Sequence, residues 1–147
     1  MKYLLILLFL FSTHSFSGEF DERGLLCKFS LTEKESKNVI MFLVTFNGDK
    51  STYNFLQRNE ETGKLESHIQ IYKFISNEDF IIFKYTSGDK KLEVNRKSLE
   101  FTDYHPLRKP ENGICKVHEV GEAAIEYKKY VEEKQKVWEK RFEGNKI

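Results

Sequence analysis

Two cysteines, Cys27 and Cys115, lie 88 positions apart, one near each end of a run of short β-type segments. That pair constrains the fold more than any other feature. A disulfide needs its two Cα atoms within about 7 Å. If Cys27 and Cys115 are joined, the first and last strands must meet, so the chain between them has to curl back on itself. Neither cysteine belongs to a Cys-x-x-Cys motif, which leaves a structural bridge as the expected role.

The compartment expected for the chain makes that bridge reasonable. Lys2 is followed by an apolar core from Tyr3 to Phe11, then by small and polar residues through Ser17. This has the form of a secretory signal peptide, with cleavage expected after Ser17. The apolar core is too short to cross a bilayer, which needs about 20 residues. The chain is therefore expected to be exported, periplasmic or secreted, with no stable membrane anchor after cleavage. Oxidising compartments are where disulfides persist.

The leader also changes the charge balance. The whole chain carries 24 basic and 23 acidic side chains. The leader holds one lysine and no acid, so the remainder is formally neutral. Neutrality argues against nucleic acid as a partner and against long-range attraction to anionic lipid, though it leaves room for a local patch. The whole chain is 39% apolar, and of the roughly 130 residues that remain 47 are apolar, enough to bury a core without a metal.

Between the cysteines the pattern is strand and turn. Leu25 to Leu31 alternates as a half-buried strand, with Leu25, Cys27, Phe29 and Leu31 on one side. Val39 to Phe46 is an apolar run ending in Asn47-Gly48, a strong hairpin signal. Ser51 to Gln57 returns from it. Leu65 to Ile75 holds Ile69, Ile71 and Ile75 in phase. Phe80 to Thr86 follows. Lys91 to Val94 and Ser98 to Asp103 flank a tight turn, where Asn95 suits a positive φ. A loop with Pro106 and Pro110 leads to a last strand, Ile114 to His118. Short connections make neighbours antiparallel and the order a meander. With the cysteines joined, these eight strands predict a small up-and-down barrel, a two-sheet sandwich being the alternative.

The pattern changes at the end of the chain. Val120, Ala124, Tyr127, Val131, Trp138 and Phe142 recur at helical spacings among Glu and Lys. This predicts an amphipathic helix from about Glu119 to Glu143, about 37 Å long. Strands of about seven residues span only about 23 Å, so the helix must overhang the barrel or cross it obliquely. The expected organisation is a leader over 1–17, a barrel over 18–118 and a C-terminal helical segment over 119–147.

Catalytic motifs are missing: there is no nucleophile elbow, Walker loop, zinc-protease helix or dinucleotide fingerprint. His68, His105 and His118 are not spaced as a metal cluster, which needs three or four ligands. No enzyme activity, cofactor or metal is expected. Two groups of residues are candidates for partner binding. Lys90, Lys91, Arg96 and Lys97, with Arg108 and Lys109, would make a basic rim if their turns coincide in space. Trp138 and Phe142 either pack on the barrel or present aromatic anchors from the far end of the helix.

The segment from Leu92 to Phe101 reads L-x-V-N-R-x-S-L-x-F. With Cys115, the charged tail and the ending Asn145-Lys146-Ile147, it resembles small exported proteins of marine bacteria and their phages, a likeness that implies no activity. In layout the chain is also similar to the C-type periplasmic lysozyme inhibitors, with Thr86-Ser87-Gly88 resembling a Ser-Gly loop of that family. Lipocalin-like carriers share the barrel-plus-helix plan. The leading expectation is a non-catalytic exported protein that binds a protein or an envelope polymer. A carrier of small apolar ligands comes second, and a small envelope hydrolase using His68 or His105 comes third.

Overall fold

A computed structural model describes residues 20–30, 40–59, 61–107 and 109–143, the side chains of the last two helical residues excepted. The expected leader and its cleavage site lie outside the described residues, as do Arg108 and the Phe142 side chain.

Eight strands follow one another: β1 (Arg23–Phe29), β2 (Met41–Asn47), β3 (Lys50–Arg58), β4 (Leu65–Ser76), β5 (Phe80–Lys84), β6 (Lys90–Asn95), β7 (Glu100–Asp103) and β8 (Glu111–Glu119). A helix, α1 (Val120–Glu143), is the last described element. Each strand pairs with the next, and β1 pairs antiparallel with β8, so the meander closes into a barrel. Closure leaves no sheet edge to protect by other means. In the β1–β8 register Cys27 stands directly opposite Cys115, and the disulfide fastens the seam with a Cα–Cα distance of 3.9 Å. A bridge closing so long a loop stabilises by about 4–5 kcal/mol in the chain-entropy account.

Asparagine side chains shape three of the turns. Oδ1 of Asn59 accepts the N–H groups of Glu61 and Thr62. Asn77 does the same for Asp79 and Phe80, and Asn95 for Lys97 and Ser98. These are Asx turns, in which a side chain supplies the acceptor that tightens the backbone. Asn95 therefore works as an acceptor and not through a positive φ. In that hairpin it is Leu99 that takes φ 60°.

The barrel is filled at one end. Phe20, just before β1, packs on Phe46 at 5.0 Å between ring centroids, and Phe46 on Phe74 at 5.0 Å. The Arg96 guanidinium lies 5.4 Å over the Phe20 ring and closes that end. Midway along, Phe101 packs over Gly113, the residue opposite it on β8. A Cβ at Gly113 would stand 2.2 Å from the Lys28 carbonyl oxygen and 2.5 Å from the Phe101 ring.

A second core lies outside the barrel. Leu26, Met41 and Leu43 point outward from β1 and β2 and are covered by Ala123 and Tyr127 of α1. The first strand is thus buried on both faces, where alternation alone predicts a half-buried one. The helix is the reason, because it supplies the outer layer. A turn later on α1, the Tyr130 hydroxyl accepts the Met41 N–H at 3.1 Å. The helix crosses the strands obliquely, and its far end reaches the β3–β4 loop. There Gln135 donates to the Leu65 carbonyl and the Trp138 indole to that of Gly63, at 3.3 and 2.8 Å.

Candidate functional site at the open end of the barrel

Among the described residues, the end opposite the phenylalanine plug is open. The β3–β4, β5–β6 and β7–β8 connections surround it, and it holds a cavity of about 560 Å³. Phe42 forms the floor, stacked on Tyr53 with ring centroids 4.6 Å apart. Phe29, Phe55, Tyr72 and Tyr85 stand around it. Tyr53, Phe55 and Tyr72 project inward because β3 alternates and β4 pairs with it in register, Ser51 opposite Tyr72 and Phe55 opposite His68.

The cavity wall includes one ion pair. The pairing of β5 with β6 runs Phe83 to Leu92 and then Lys84 to Lys90, which leaves Lys91 as an extra residue in β6. Such a bulge re-aims a side chain. Lys91 turns inward beside Leu92 and is 8% exposed. Its Nζ donates to Oδ1 of Asp103 at 2.5 Å. The same ammonium lies 5.6 Å from the centre of the Tyr53 ring and 6.0 Å from that of Tyr85. Its charge is thus answered by one carboxylate and two aromatic faces.

The phenols feel this environment. Burial, with the Asp103 carboxylate next, holds the Tyr53 phenol well above its ordinary value. Burial pushes Tyr72 up to about 12, with smaller contributions from Tyr85 and Asp103. Both stay neutral hydrogen-bonding groups at ordinary pH. Tyr72 donates to Oε1 of Gln70, and Tyr85 donates to the Tyr104 carbonyl at 3.4 Å. The site therefore offers flat apolar faces with a few fixed polar atoms, which suits a compact ligand with an apolar body.

The residues singled out in the sequence are dispersed. Lys90 and Lys91 begin β6, while Arg96 and Lys97 follow its other end, so the two pairs occupy opposite ends of the barrel. Lys90 meets Glu93 at 2.6 Å, Lys97 meets Asp79 at 2.7 Å, and Arg96 donates to the Asn77 carbonyl at 2.7 Å. Lys109 is exposed in the β7–β8 connection. Trp138 is seated on the β3–β4 loop with the Arg58 guanidinium 5.5 Å over its ring. The Thr86-Ser87-Gly88 segment forms the β5–β6 turn beside the mouth.

His105 reaches the rim of the cavity, where its Nδ1 accepts the Leu107 N–H at 3.2 Å. His68 faces Phe55 at 6.0 Å between rings. His118 lies 3.8 Å from Glu126 of α1. Among the described residues no three His, Cys, Asp or Glu side chains gather as a metal site would require. The sequence does not reveal that Tyr53, Tyr72, Tyr85, Lys91 and Asp103 line one cavity. Alternation marked Tyr53 and Phe55 as one face of a strand, but nothing marked Lys91 as a bulge.

Comparison with known protein families, curated proteins and solved structures finds no match to this chain.

Proposed function

We propose that this is an exported, non-catalytic binding protein that carries a small, largely apolar ligand in the open end of its barrel. The observation that carries the reading is the cavity of about 560 Å³ floored by Phe42 and Tyr53. That volume lies within the range of about 300–1,000 Å³ typical of small-molecule sites. It favours a small ligand over the protein or envelope polymer that comes first from sequence alone. The β1–β8 disulfide supports an oxidising compartment, and among the described residues no helix is long and apolar enough to cross a membrane.

The Lys91–Asp103 pair is internally neutralised, so the ligand needs no net charge to enter. A polar group on the ligand would meet the side chains of Gln57 and Gln70, which also line the cavity. The test uses a solvatochromic apolar dye and the variant Gln70→Trp, which fills the mouth. Wild-type protein should bind the dye at one site per chain, and the variant should lose that binding with its melting temperature kept. Equal dye binding by both proteins would overturn the reading. Mass spectrometry of the purified protein's organic extract would then identify a natural occupant.

A further inference from the structure

The strand register sets lysines against one another on the outside of the barrel. Lys50 of β3 is opposite Lys73 of β4, Lys73 is opposite Lys84 of β5, and Lys84 is opposite Lys90 of β6. Inward positions on these strands are taken by Ser51, Tyr72 and Phe83, so Lys50, Lys73 and Lys84 project outward. Like charges directly opposite on a sheet repel and destabilise it. Lys90 is answered by Glu93. Among the described residues, Lys50, Lys73 and Lys84 have no ion pair or side-chain hydrogen bond. A chain with almost balanced charge, 24 basic and 23 acidic side chains, thus concentrates three ammonium groups without an ion pair on one sheet face.

Two further observations say what would cover that face. The three lysines line a groove of about 370 Å³, with Ile71, Thr86 and Gly88 completing it. Apolar side chains continue from it along β4: Ile69, Ile71 and Ile75 are 65%, 67% and 53% exposed. Cations among exposed aliphatic side chains complement a surface that presents phosphates above an apolar layer. A free phosphate would use the lysines and leave the isoleucines in water.

We propose that the outer face of β3, β4 and β5 docks on an anionic lipid surface. Phosphate-bearing headgroups enter the groove among Lys50, Lys73 and Lys84, and Ile69, Ile71 and Ile75 reach the boundary of the acyl chains. Tyr72 and Tyr85, with ring centroids 5.8 Å apart, line both this groove and the internal cavity. Docking would therefore set the lipid surface beside the wall of the cavity.

The experiment is co-sedimentation of the purified protein, expressed from the full chain, with vesicles. The vesicles are phosphatidylcholine alone or phosphatidylcholine mixed with phosphatidylglycerol. Binding is expected only to the mixed vesicles. Each lysine near an anionic surface strengthens binding by about fivefold, so the triple variant K50Q/K73Q/K84Q should bind about a hundredfold more weakly. The control K128Q/K129Q/K136Q removes the same charge from α1 and should bind as the parent does. Ile71→Ser should also weaken binding. Melting curves establish that each variant is folded, and the first triple variant should melt no lower than the parent because its repulsion is relieved. Equal losses in both triple variants would overturn the proposal in favour of general charge attraction. Unchanged binding by Ile71→Ser, with full competition by inorganic phosphate, would overturn it in favour of a free-phosphate site. Dye binding in the cavity is read separately, so failure here is distinguishable from failure of the carrier reading.

Discussion

The ammonium of Lys91 lies 2.5 Å from the carboxylate of Asp103, with both side chains about 10% exposed inside the barrel mouth. Sequence places them twelve positions apart on β6 and β7, and a single extra residue in β6 is what brings them together. Removing one partner leaves the other charge buried without an answer. Lys91→Met and Asp103→Leu should each cost about 3–5 kcal/mol, while the two together should restore much of the loss. Urea unfolding of the two single variants and the double variant measures the coupling. Single costs below about 1 kcal/mol would mean that water reaches the pair.

Trp138 gives α1 its distal attachment through the Gly63 carbonyl. Trp138→Phe should lose that hydrogen bond, at about 1 kcal/mol, and Trp138→Ala somewhat more. Truncation after Glu133 removes this contact together with that of Gln135, and should lower the melting temperature by several degrees. An unchanged melting temperature would show that the end of the helix contributes nothing to stability.

Two glycines should respond in opposite directions. At Gly113 an added methyl meets the Lys28 carbonyl and the Phe101 ring, so Gly113→Ala should destabilise by about 2–4 kcal/mol. A Cβ at Gly121, in the first turn of α1, meets nothing within 4 Å. Gly121→Ala should be neutral or stabilise by up to about 1 kcal/mol. Chemical unfolding of the two variants side by side checks both signs.

The buried phenols predict a loss of stability in alkali. Burial holds Tyr72 and Tyr127 at about 12, against an ordinary value of 10.0. Between those values the unfolded chain has released protons that the native state keeps, so unfolding is favoured as pH rises. Stability should be level below pH 10 and fall towards pH 12, where phenolate absorbance and loss of ellipticity should rise together. Tyr72→Phe and Tyr127→Phe should each make the fall shallower. Phenolate formation that runs to completion before any unfolding would contradict the assignment of these phenols as buried.

Much of the barrel is legible in the residues. Asn47-Gly48 places the first hairpin, and the turn asparagines separate later strands. Two cysteines at the ends of the β region favour closure of a meander, with a two-sheet sandwich as the alternative. The same local chemistry leaves other matters open. Alternation puts Ile69, Ile71 and Ile75 on one face of β4 without saying which face. The structure turns them outward and gives the interior to His68, Gln70, Tyr72 and Phe74. Leu26 reads as the outer face of a half-buried strand until α1 lies across it.

The sequence by itself determined the strand order, the turns and the helix, because each depends on short-range periodicity, and the pairing of β1 with β8 then chose the closed barrel over the two-sheet sandwich. Only the tertiary structure decided which faces turn inward, that Phe20 plugs one end while the described residues leave a cavity at the other, and that Lys91 meets Asp103. It also decided that Lys50, Lys73 and Lys84 form one row. These are matters of register and packing between distant segments, and a one-residue bulge or a helix laid over a strand changes them without changing any local pattern.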